Sequence, residues 1–267
     1  MRYAAALSLQ GLSLARNGLQ SLSESAQVEY YICLYQALVD DDEDIRMLAS
    51  RTVVKAVHGV NDVSDADQVV PQVAAQILCA YLLEKFPTSL QLFESACTRL
   101  LGQDLAQPSW IAVPDLLRQA LNADVALFGG EKQNLYVDDV REAWEWSRVL
   151  LLLTPTSSAD RFTDKIHDWA LNGLECMINK ARQEVNGALG WASKRDVFAL
   201  GVRIILAAEM LLHWRTELSS ESDHAPVLQK LKELAEVGVS AELPGIWLHH
   251  LERIQVAKVD SGKQELS

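Results

Sequence analysis

Apolar residues along this chain recur every three and four positions, the spacing of helices that bury one face. Tyr30, Cys33, Leu34, Ala37 and Leu38 form one such stripe, predicting a helix from about Ala26 to Val39 capped by Ser23 or Ser25. An earlier helix is expected over about residues 2 to 20. A later one carries Ile45, Leu48, Ala49, Thr52, Val53, Ala56 and Val57 on a stripe, with Asp41 or Asp42 as cap and Gly59 as stop. After the polar stretch Asn61 to Gln68 the pattern returns in Val70, Val73, Ala74, Ile77, Leu78, Tyr81 and Leu82, with Pro71 in the first turn. Phe86-Pro87 ends that helix. Thr88 is expected to cap a partner helix through Leu90, Phe93, Cys97 and Leu100, stopped by Gly102. Hardly any stretch alternates apolar and polar residues as a half-buried strand does.

The two helix pairs stand roughly 45 residues apart, the period of HEAT and armadillo repeats, whose units bury their apolar faces only by stacking. The fold class expected is therefore all-α, a HEAT/armadillo-like α-solenoid segment of stacked antiparallel helix pairs. The second half is helical but less regular. Helices are predicted near Pro114, through Leu127 to Gln133, and over Asp138 to Leu153, Ala159 to Val185, Lys194 to Leu218, His224 to Val237 and Pro244 to Val259. The organisation that follows is one helical-repeat segment over 1–259, regular over 1–102 and looser over 113–259, with a disordered tail at 260–267.

Composition sharpens this. Of the 267 residues 49% are hydrophobic, enough for a sizeable core, and the 13 glycines and 7 prolines fall between apolar stretches. The formal net charge of −12 repels phosphate backbones and favours protein partners over direct nucleic-acid contact. No uncharged apolar run of about 20 residues is expected to cross a membrane, because Arg203, Glu209 and Arg215 interrupt the later apolar stretch. The N-terminus reads as a helix and not as a signal peptide. With Cys33, Cys79, Cys97 and Cys176 scattered and no CxxC pair, the cysteines read as small core residues in a cytoplasmic, reducing setting.

Candidate chemistry is sparse. The run Asp40 to Asp44 contains DDxxD, the pattern by which all-α isoprenoid synthases hold magnesium and diphosphate, and Asp138, Asp139 and Glu142 offer a loosely similar second set. The competing reading is a turn and helix cap, with Asp42 and Arg46 in an inter-repeat polar ladder. The six histidines make no zinc spacing, and no P-loop, Rossmann glycine fingerprint or nucleophile elbow is present. No catalytic residue, metal site or cofactor is therefore assigned. Trp144, Trp146, Trp169, Trp191, Trp214 and Trp247 are expected chiefly in the core between long helices, with a minority as exposed anchors for a partner.

Two stretches carry a resemblance. LYQALVDDDEDIRMLASRTV (Leu34 to Val53) and LFGGEKQNLYVDDVREAWEW (Leu127 to Trp146) resemble the C-terminal part of the THADA family, very large helical-repeat proteins related to the thyroid adenoma-associated protein. Ile45 and Arg46 match its acidic run followed by Ile-Arg. Leu127, Phe128, Glu131, Lys132, Gln133, Asn134, Leu135 and Asp138 match the second motif, and Gly129-Gly130 depart from it. The family's Arg-Arg-Ser-Ala-Gly segment is absent. The resemblance implies a C-terminal fragment of a larger, non-catalytic adaptor. Its partner would be the catalytic subunit of a tRNA 2′-O-methyltransferase, which binds S-adenosylmethionine and modifies the first ribose of the anticodon loop. Contact with tRNA would run through that complex.

By residue, the resemblance offers Asp41, Asp42, Glu43, Arg46, Glu131, Lys132, Gln133, Asn134, Asp138 and Arg141 as partner-binding positions. A structural account stands beside it: Asn134 ends one helix and Asp138 caps the next. The remaining alternatives are a general HEAT-repeat scaffold and, more distantly, the synthase-like enzyme.

Overall fold

The computed structural model of the chain describes residues 1–14, 18–58, 69–103, 111–122, 139–153, 160–183, 191–192, 194–218, 225–241 and 243–264. Among these the regular elements are eleven helices and no strand. They are α1 (Arg2–Leu14), α2 (Glu24–Leu38), α3 (Glu43–His58), α4 (Pro71–Lys85), α5 (Leu90–Leu101), α6 (Val113–Asn122), α7 (Asp139–Leu152), α8 (Asp160–Gln183), α9 (Arg195–Leu218), α10 (Ala225–Ser240) and α11 (Gly245–Gln264). The expected helix through Leu127 to Gln133, the stop at Gly59 and the Asn134 break lie outside the described residues.

Two compact units result: Met1–Cys97 with Leu127–Thr156, and Thr98–Ala126 with Ser157–Ser267. In the first, α1, α2 and α4 all pack on α3, α2 also packs on α4, and α7 lies against α4. The local signals act largely as expected. Ser23 caps α2 by accepting from Ala26 N at 3.3 Å, and Pro71 opens α4 at a position whose N–H has no intrahelical acceptor. The cap of α5 is Ser89 and not Thr88, since Ser89 Oγ accepts from Leu92 N at 3.4 Å. Helix α1 ends at Leu14, short of the expected residue 20; residues 18–22 form a turn in which Leu22 N donates to Leu19 O at 3.1 Å.

Helix α2 departs most from the single-stripe reading. Tyr31, Ile32 and Tyr35 are buried together with Tyr30, Leu34, Ala37 and Leu38, whereas Cys33 stays half-buried. This helix is covered on more than one side, so its apolar positions run nearly all round it.

In the second unit α8 lies between α9 and α10, α6 packs on α8 and α9, and α11 packs on α9 and α10. Over Arg195–Trp214 the mean hydropathy is 1.7, so α9 does have the length and apolarity to cross a membrane, contrary to the expectation from its charges. That window is 83% buried within the protein, as befits a core helix. Its interrupting Arg203 is itself buried, donating to the carbonyls of Arg99 at 2.6 Å and Leu100 at 3.0 Å at the end of α5. There the guanidinium satisfies acceptors that a helix C-terminus leaves open, and its charge meets the negative end of the helix dipole. Gly102 closes α5 at φ +71°, and a Cβ there would stand 3.0 Å from Arg203 Nη1.

Five of the six second-half tryptophans are core residues, in line with the expectation, and Trp144 is exposed. Trp247 passes so close to α9 that a Cβ on Gly201 would lie 2.1 Å from its ring, and its Nε1 donates to Phe198 O at 3.2 Å. Helix α11 runs on to Gln264, so residues 260–264 are helical and not the disordered tail expected for them; 265–267 lie outside the described residues.

Candidate functional site

The acidic run spans the turn between α2 and α3 and the start of α3, and the carboxylates of Asp40, Asp41 and Asp42 are engaged in holding that turn. Asp40 Oδ1 accepts from Asp42 N at 2.9 Å, and Asp42 Oδ1 accepts from Asp44 N at 2.9 Å and from Ile45 N at 3.4 Å. Asp42 thus caps α3, with Glu43 and Asp44 in the favourable first turn. The Arg2 guanidinium from α1 meets Asp40 at 2.9 Å and also bonds Asp41, holding the Asp41 carboxyl below the usual carboxylate range. Buried Arg46 donates from Nη1 to Asp40 O at 2.7 Å, bracing the turn from the far side.

This arrangement removes the synthase reading for the first motif. Asp41 and Asp44 are exposed on the turn and lie outside the lining of the apolar-walled cleft beside it. Asp138 lies outside the described residues. Among the described residues no group of three or more His, Cys, Asp and Glu side chains is placed to hold a metal ion.

Next to the turn, α2, α3, α4 and α7 enclose a cleft of about 180 Å³ within the first unit. Leu38, Val39, Pro71 and Ala75 supply its apolar wall. Its polar wall is a short network centred on Glu145. Tyr35 OH donates to Glu145 Oε2 at 2.8 Å, Arg141 Nε donates to Oε1 at 3.0 Å, and Arg141 Nη2 reaches Gln72 O at 3.3 Å. Tyr35 is almost wholly buried, its ring packing edge-on to Trp146 with centroids 4.9 Å apart. Burial first, and the charge of Glu145 second, push the phenol far above its ordinary range, so it stays a donor. Arg46 and Glu142 complete the lining.

Of the positions offered by the resemblance, the fold brings Arg46 and Arg141 into one cleft and sets Asp41, Asp42 and Glu43 on the turn that begins at its wall residue Val39. Glu131, Lys132, Gln133, Asn134 and Asp138 lie outside the described residues. Sequence reasoning passed over Tyr35, Gln72 and Glu145, and took Glu142 only as part of a second acidic set. The i,i+4 spacing of Arg141 and Glu145 was a legible signal for that pair. Tyr35 looked like any apolar position of its helix.

Two of the four cysteines are sequestered. Cys79 and Cys97 are buried free thiols whose pKa values burial raises well above the ordinary one. Cys33 and Cys176 are half-buried thiols outside any disulfide.

The family model for the Trm72 ARM-like repeat region matches residues 80–259, from within α4 to within α11. The chain belongs to this family. No curated protein and no solved structure matches it. The matched span contains the whole LFGGEKQNLYVDDVREAWEW segment and, with α7, the Arg141, Glu142 and Glu145 side of the cleft; the acidic turn and Arg46 precede it. An all-α fold of ARM-like repeats is thus established from both the helices and the family.

Proposed function

We propose that this chain is a non-catalytic adaptor segment that supports 2′-O-ribose methylation in the anticodon loop of tRNA by holding the methyltransferase catalytic subunit in the cytoplasm. The observation that carries this reading is the family match over 80–259, whose name associates it with tRNA-methyltransferase machinery. The THADA-like segment from Leu127 to Trp146 inside that match, with its Glu131 to Asp138 motif, supports it. So does the chemistry in view. The cleft has an anchored tyrosine and an arginine–glutamate pair, polar groups suited to contacting a partner. S-adenosylmethionine would belong to the partner, and with a net charge of −12 the chain's own contribution is to the enzyme more than to RNA.

The test is removal of residues 80–259 from the gene product in its native host, with methylation of the anticodon-loop riboses measured by mass spectrometry of purified tRNA. Loss of that methylation, with the methyltransferase still present at its normal level, is the expected result. Unchanged methylation together with unchanged co-purification of the methyltransferase would remove the adaptor reading and leave a general repeat scaffold.

A further inference from the structure

We propose that the cleft between α2, α3, α4 and α7 is a docking site for a basic segment of a protein partner, receiving one lysine or arginine side chain over the acidic α2–α3 turn. The cleft has room for a single large side chain, at about 180 Å³. Its walls suit a long cationic one. Leu38, Val39, Pro71 and Ala75 offer apolar surface to an aliphatic stem, and the Glu142 carboxylate lies on the lining toward which a charged head would reach. Tyr35 and Arg141 hold Glu145 from both oxygens, which keeps the polar wall in a fixed shape before any partner arrives.

Charge selects the occupant. The cleft and the adjoining turn carry the acidic residues Asp40, Asp41, Asp42, Glu43, Asp44, Glu142 and Glu145 against Arg2, Arg46 and Arg141. All three guanidiniums are already engaged with carboxylates or carbonyls of this same unit. Asp42, Glu43 and Asp44 are exposed on the segment that joins the lining residues Val39 and Arg46, so surplus negative charge lies next to the cleft in sequence and faces solvent. An acidic peptide or a nucleic acid would meet repulsion there, in a molecule whose net charge is −12. A basic protein segment meets attraction at the turn and apolar contact inside.

This inference rests on the adaptor reading for the identity of the natural partner but not for the chemistry of the site. The experiment therefore uses two probes with the whole chain. One is a fluorescent basic amphipathic peptide, compared with a counterpart whose Lys and Arg are replaced by Glu and with a single-stranded RNA. The other is the purified methyltransferase catalytic subunit. Fluorescence anisotropy should show preference for the basic peptide, weakened about tenfold by Glu142→Lys and less by the exposed-turn variant Glu43→Lys. Glu236→Lys, an exposed charge reversal on α10 in the other unit, should leave binding unchanged. Circular dichroism confirms that each variant stays folded, and Glu43→Lys still reads the site if Glu142→Lys does not fold.

Equal loss from Glu236→Lys would show charge attraction without a site and would overturn the proposal. So would preference for the acidic peptide or for RNA. If the methyltransferase binds wild type and Glu142→Lys equally, the docking site fails while the adaptor reading stands. If the basic peptide binds as expected and the methyltransferase does not bind at all, the site stands and the adaptor reading fails.

Discussion

Arg203 is a charge in the middle of an apolar helix, and its surroundings explain how the core tolerates it. The guanidinium donates to the carbonyls of Arg99 and Leu100, acceptors that α5 leaves open at its end. Arg203→Met keeps the volume but strips those carbonyls of a buried donor, and should cost about 3 kcal/mol in urea unfolding. Gly201 raises the opposite problem, an absent side chain. A Cβ there would lie 2.1 Å from the Trp247 ring, so Gly201→Ala must displace a fully buried indole and should cost about 3 kcal/mol by the same measurement. His250 is buried on α11, and burial, followed by the charges of Arg253 and His249, lowers its pKa below the ordinary 6.5. The unfolded chain then takes up the proton first. His250 thus contributes stability that is fully present above pH 6.5 and is lost as pH falls through its lower folded value. In denaturant melts across that window His250→Gln should flatten the acid-side decline of wild type; an unaltered slope would assign the decline to other groups. Neither the Arg203 bonds nor the approach of Trp247 to Gly201 has a local signature in the sequence, because each joins positions far apart in the chain.

Individual helices were much more legible. Period-3.6 patterning and the punctuation by Ser23, Pro71 and Gly102 place α2, α4 and the end of α5 within a residue or two. The cap of α3 was legible too, since an acidic run before Ile45 offers carboxylates to open amides. Asp42→Ala should lower stability by about 1 kcal/mol in thermal melts, whereas Asp44→Ala, which supplies no cap bond, should cost less. The choice of Ser89 over Thr88 was not legible, because two neighbouring hydroxyl residues are equivalent until the backbone selects one. Nor was the burial of α2 on more than one side. Tyr31 and Tyr35 are amphipathic residues that suit a surface or a core, and only the packing of α3 and α4 against α2 decides for the core.

For the molecule as a whole, the consequence is two compact units with their own cores. Within the second, α9 is packed by α6, α8, α10 and α11, so its amides should exchange with solvent most slowly, as hydrogen-exchange mass spectrometry would show. Fast exchange across α9 would contradict its place at the centre of that unit. The sequence by itself determined the helical class, most helix positions and the repeat character, because each follows from short-range spacing and capping chemistry. It also marked Arg46 and Arg141 as candidates through a family resemblance. Only the tertiary structure put those two arginines into one cleft and turned the DDxxD run into a braced turn. It also joined Tyr35 to Glu145 across 110 residues of chain and made an apolar, membrane-length helix into the centre of a core. The reason is physical: periodicity states which face a helix buries, while the partner that covers that face is chosen by packing between segments distant in sequence.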